Sequence, residues 1–75
     1  MSARHAVVRE LLDHALVLLA EPQDKTPWDE LANTVRVIRY LLSPKEIQKL
    51  LAQIVKEQEV PLLSLRHLRA YLPLE

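Results

Sequence analysis

Leu42-Ser43-Pro44-Lys45-Glu46-Ile47-Gln48-Lys49-Leu50-Leu51 is the stretch on which the fold turns. Ser43 stands three residues before Glu46, the spacing of a capping box: the serine hydroxyl accepts from the Glu46 amide while the Glu46 carboxylate accepts from the Ser43 amide. Pro44 falls at the first helical position, where a missing N–H costs nothing. Leu42 and Ile47 bracket the cap as a hydrophobic staple. The helix this predicts places Ile47, Leu50, Leu51, Ile54 and Val55 in one apolar stripe. Its wet side carries Lys45, Gln48, Lys49, Gln53, Lys56 and Glu57.

Working back from that cap, Trp28, Leu31, Val35, Ile38 and Leu42 recur at spacings of three and four, the seam of a helix facing another helix. Ala32 lies beside the seam, and Trp28 is expected to close one end of the core. Thr26-Pro27, followed by Asp29 and Glu30, reads as the start of this helix. The polar segment Glu21 to Thr26, which includes Pro22, is a loop. Before it, a helix capped by Ser2 and running to about Ala20 buries Val8, Leu11, Leu12, Ala15, Leu18 and Leu19. Leu16 and Val17 add apolar surface on other faces, so this end must be either central or covered by a partner.

Working forward, Val60-Pro61 ends the capped helix. A shorter one begins at Pro61 or at a Ser64 cap and stops before Pro73, with Leu62, Leu65, Leu68 and Leu72 on one side. Residues 1–75 are thus expected to form a single all-α domain, a compact bundle of three longer amphipathic helices and a short C-terminal one. Leu11, Leu12, Leu19, Leu31, Val35, Ile38, Leu50, Leu51, Ile54 and Leu65 should be among its most buried residues. The near absence of a loop at Ser43 predicts an angled corner between the second and third helices. The ten residues quoted above resemble the helix that opens the catalytic domain of tyrosine recombinases. That likeness reaches no catalytic residue and implies no activity; the capping box accounts for it.

Composition removes several function classes. There is no cysteine, which excludes a disulfide scaffold, a thiolate zinc site and a cysteine nucleophile, and fits a reducing compartment such as the cytoplasm. There is no glycine either, so no glycine-rich loop can bring backbone amides onto a phosphate. The longest apolar run, Ala15 to Ala20, is six residues, against the roughly 20 of a membrane-crossing helix. Glu10 and His14 share a helix face without a second ligand motif, so no metal site is assigned. His5 and His67 are expected at the surface, and neither has a Ser or Asp at a spacing that would make it a general base. The expectation is a protein that is not an enzyme and uses no cofactor.

The net charge of zero hides an uneven layout. Residues 10–35 hold six acids against one lysine, a net −5, and residues 36–69 hold seven bases against three acids, a net +4. Part of this is local: Asp29 and Glu30 suit the positive start of their helix, Arg36 and Arg39 its negative end, and Arg9 can pair with Asp13. The remainder suits a partner or a second copy, where opposed charge sets orientation and encounter rate. The leading reading is a non-enzymatic protein–protein interaction module, an adaptor, assembly factor or small regulator, acting through an apolar helix face. Leu16, Val17, Arg36, Arg39 and Tyr40 fall off the best internal seams and are the expected contacts, and a homodimer is the expected state. The alternative is a small DNA-binding regulator with a helix-turn-helix-like C-terminal half presenting Arg66, His67 and Arg69. Neutral net charge and Leu62-Leu63 at the start of that helix count against it.

Overall fold

The computed structural model describes residues 3–72. They form four helices, α1 (Ala3–Leu19), α2 (Trp28–Leu41), α3 (Pro44–Glu57) and α4 (Leu62–Tyr71), with one turn of 3-10 helix at Gln23–Lys25 between α1 and α2. The protein is an all-α four-helix bundle. Its Cα radius of gyration is 11.5 Å, close to the roughly 11 Å expected of a compact chain this long. The expected Ser2 cap lies outside the described residues.

Each boundary has a local cause. At α3 the capping box forms in full: the Glu46 amide donates to Ser43 Oγ at 3.4 Å, and Glu46 Oε1 accepts from the Ser43 amide at 3.3 Å and from its hydroxyl at 2.9 Å. The carboxylate is therefore held below its ordinary pKa, first by the bonds from Ser43 and then by the charge of nearby His5. Leu42 and Ile47 are both buried beside it. The chain leaves α2 and enters α3 through extended backbone at Leu42 and Ser43.

α2 departs from expectation at its start. Pro27 is the residue before the helix, and no side chain caps it. Thr26 is buried, and its hydroxyl bridges back toward the carbonyls of Glu21 (3.3 Å) and Pro22 (3.0 Å). A buried hydroxyl must find an acceptor, and these loop carbonyls supply it. The threonine therefore closes the α1–α2 loop and does not cap α2.

The core forms around α1, which packs against α2, α3 and α4, whereas α3 and α4 meet little. Val8, Leu12, Ala15, Leu18 and Leu19 of α1 interlock with Leu31, Val35, Ile38 and Leu42, with Ile47, Leu50, Leu51 and Ile54, and with Leu68 and Leu72. This decides between the two explanations for the apolar end of α1: it is central. Leu16 is half-buried against the core, and of that run's large side chains only Val17, 67% exposed, faces outward. Leu11 and Leu65, expected in the deep core, are only partly buried at its margin.

α4 is also rotated relative to expectation. Leu62 is 73% exposed, and the inward positions are Ser64, Leu68 and Leu72, at i, i+4 and i+8. Ser64 is no cap; Pro61 precedes the helix. Instead the buried Ser64 hydroxyl turns to the free Leu19 carbonyl at the end of α1, at 3.5 Å. A small polar residue here lets the two helix ends approach where a leucine would wedge them apart. At the far end of α4, Tyr71 stacks on Trp28, with ring centroids 6.0 Å apart and planes 11° from parallel. The Trp28 indole N–H donates to the Gln23 carbonyl at 3.2 Å, closing that end of the core.

Candidate protein-contact surface

The acids and bases of α1 are largely consumed within the bundle. Arg9 Nη2 donates to Glu57 Oε1 at 2.6 Å, and its Nε sits 3.8 Å from Asp13 Oδ2, too far for a hydrogen bond. The bond to Glu57, with both carboxylates nearby, raises the guanidinium pKa above its ordinary value. Gln58 Nε2 donates to Asp13 Oδ1 at 3.1 Å, so α1 and the end of α3 are laced together. His5 lies 3.1 Å from Glu46, and His14 lies 3.5 Å from Glu30. His14 thus faces α2 and is matched there with Glu30. Among the described residues no group of three or more His, Cys, Asp or Glu gathers as a metal site would.

The cations of the second half are left over. Arg36 and Arg39 form no ion pair or hydrogen bond with any described residue. Both line a shallow groove of about 450 Å³ on the flank of α2. Ala32 and Val35 also line it, with Tyr40 and, from α4, Tyr71. Among the described residues, no carboxylate lines this groove. Tyr40 is 88% exposed, the most exposed large hydrophobic among the described residues. Three of the five expected contact residues, Arg36, Arg39 and Tyr40, are therefore brought together. Leu16 and Val17 are not with them: they line a separate cleft of about 220 Å³ with Asp13, Ala20 and the residues from Gln58 to Pro61.

No family model matches the chain, and no curated protein or solved structure shows significant similarity to it. The reading of the surface rests on its chemistry alone.

The three residues of the alternative reading are split by the helix. Arg66 and Arg69 point outward beside Leu62 and Leu65. His67 is half-buried and turns the other way, with Nε2 3.1 Å from the Gln23 amide nitrogen and its ring edge-on to Trp28 at 6.3 Å. It fastens α4 to the α1–α2 loop. A helix-turn-helix packs its two helices against one another, whereas α4 takes α1 as its main neighbour and barely meets α3.

Tyr71 is the groove residue that the sequence reading missed. It falls on no leucine stripe, and its place follows from Trp28, which offers an aromatic face at the start of α2. The only available signal was that the two aromatics other than Tyr40 stand at helix ends, Trp28 at the start of α2 and Tyr71 at the end of α4.

Proposed function

We propose that this protein is a non-enzymatic protein–protein interaction module, an adaptor, assembly factor or small regulator, whose contact surface is the α2 flank bearing Arg36, Arg39 and Tyr40. One observation carries the reading: an almost fully exposed tyrosine beside two guanidinium groups with no ion-pair or hydrogen-bond partner among the described residues, in a groove that no described carboxylate lines. Tyrosine and arginine are the side chains that dominate measured binding hot spots, because each combines a large contact area with directed hydrogen bonding. No other element of the bundle needs these three residues where they are. A helix face of this kind suits a partner helix or extended segment carrying acidic groups, or a second copy of the chain. Cytoplasmic residence is part of the same proposal, on the ground that the chain carries no thiol.

The test is co-purification from the native host with a tagged wild-type chain, the triple variant Arg36→Glu, Arg39→Glu, Tyr40→Ala, and the control Val17→Asp. The expected result is a protein retained by wild type and control and lost with the triple variant. Retention by all three would refute the assignment of this surface. Recovery of nucleic acid that Arg66→Ala and Arg69→Ala abolish would replace the proposal with the DNA-binding reading, and its affinity would fall steeply with salt.

A further inference from the structure

The outward side of α2 carries a second regular stripe, opposite its buried seam. Asp29, Asn33, Arg36 and Tyr40 follow one another at spacings of four, three and four, and all four are exposed. None of them forms a side-chain hydrogen bond or ion pair with a described residue. The stripe is polar in a directional sense: its first member is an anion and its third a cation, seven residues apart, or about 10 Å along the axis at 1.5 Å per residue. A stripe with an anion and a cation seven residues apart is complementary to itself in charge when turned end for end about the midpoint between them.

We infer that the occupant of this face is a second copy of the chain, with the two α2 helices antiparallel across a two-fold axis near residues 32 and 33. The inference rests on the contact-surface reading above and names its partner. An isologous interface requires one patch that fits its own image, and Asp29 and Arg36 meet that requirement. Asp29 of each copy meets Arg36 of the other, giving two equivalent ion pairs. Asn33 meets Asn33 at the axis, where two amides can exchange hydrogen bonds. Ala32 lies alongside, small enough for close approach of the helices. Beyond the axis, Arg39 and Tyr40 overhang the start of the other copy's α2, next to the loop that carries Asp24.

The whole-chain charge favours the same partner. A chain specialised for an acidic partner gains from being basic overall, yet this one is neutral with its acids and bases in separate halves. Two neutral molecules do not repel at long range, which leaves the two Asp29–Arg36 pairs to set the antiparallel register. A single helix pair lies at the small end of specific interfaces, so the association should be weak, in the micromolar range, and should loosen as salt rises.

The experiment is sedimentation equilibrium of the wild-type chain from low micromolar to millimolar concentration, with Asp29→Lys, Arg36→Glu and an equimolar mixture of the two. The inference expects wild-type mass to climb from 8.7 kDa toward twice that value, each single variant to stay at one chain, and the mixture to recover the doubled mass. Recovery also shows that both variants are folded, and Asp29→Asn, which introduces no cation at the helix start, should weaken association at least tenfold by itself. Wild type remaining at one chain at millimolar concentration would overturn the inference, as would single variants that dimerise like wild type or a mixture that fails to recover. The host co-purification stands apart from these outcomes. A different protein lost with the Arg36, Arg39 and Tyr40 variant would uphold the contact surface while the second copy is abandoned.

Discussion

Leu12→Ala should be among the most damaging single truncations in this chain, because it empties the centre of the helix that every other helix packs on. Leu12 is fully buried, between the equally buried Val8 and Ala15. Removing its isobutyl group forfeits the transfer free energy of that group and leaves a void that α2, α3 and α4 cannot all close on at once. The expected loss is about 3–4 kcal/mol, the middle of the range for buried leucines. A domain of this size commands about 4–11 kcal/mol in total, so the variant should be marginal at room temperature. Its melting temperature should fall by about 15–25 °C, since each kcal/mol shifts a domain this small by about 4–8 °C. Urea unfolding followed by circular dichroism reads the change as a lower midpoint at unchanged slope. The partner experiment is Val17→Ala, five residues on, which should cost no more than about 0.5 kcal/mol because that side chain is already in water. The reasoning fails if Leu12→Ala costs under about 1 kcal/mol. It fails equally if Val17→Ala costs as much, which would mean that α1 is covered from outside and not by its own chain.

Other expectations follow from single contacts. Ser43→Ala should destabilise by about 1 kcal/mol, the usual worth of an N-cap, measured by thermal unfolding. Glu46 has a lowered folded-state pKa, so its contribution is complete above the ordinary value of 4.5 and is lost as pH falls through the depressed one. Glu46→Gln should therefore flatten the decline in stability below about pH 4.5, and an acid limb as steep as wild type would contradict this. Tyr71→Ala removes the ring stacked on Trp28, an arrangement worth about 0.5–1.5 kcal/mol beyond its buried area. The emission of Trp28, the sole tryptophan, should move to longer wavelength, and unchanged emission would show that the stack is not maintained in solution.

How much was legible in the sequence depended on whether a signal was local. The Ser43 box, the staple at Leu42 and Ile47, the α2 seam and the α3 stripe, apart from Val55, which is 39% exposed, were readable, because each is set by residues of one helix or its cap. Thr26 misled because a threonine before proline has two ways to satisfy its hydroxyl, and only the folded loop brings the Glu21 and Pro22 carbonyls within reach. Leu62 and Ser64 misled for a related reason. In a leucine-rich helix several stripes score alike, and the choice among them was made by α1, whose final carbonyl at Leu19 receives a small hydroxyl and leaves no room for leucine. At the site, Arg36, Arg39 and Tyr40 were identifiable as residues off the internal seam. Leu16 was not separable from them, since only the three-dimensional arrangement shows that it is half-buried and lines a different cleft, with Val60. His67 was read as a surface residue because its partners, Gln23 and Trp28, lie in a distant segment.

The central claim, that the Arg36–Arg39–Tyr40 flank of α2 is where this protein meets another protein, is tested most directly by a photo-crosslinking amino acid placed at position 40 in the host cell, with position 53 on the exposed side of α3 as control. The account predicts a discrete protein adduct from position 40 and none from position 53; identical labelling from both positions, or no adduct from position 40, would contradict it.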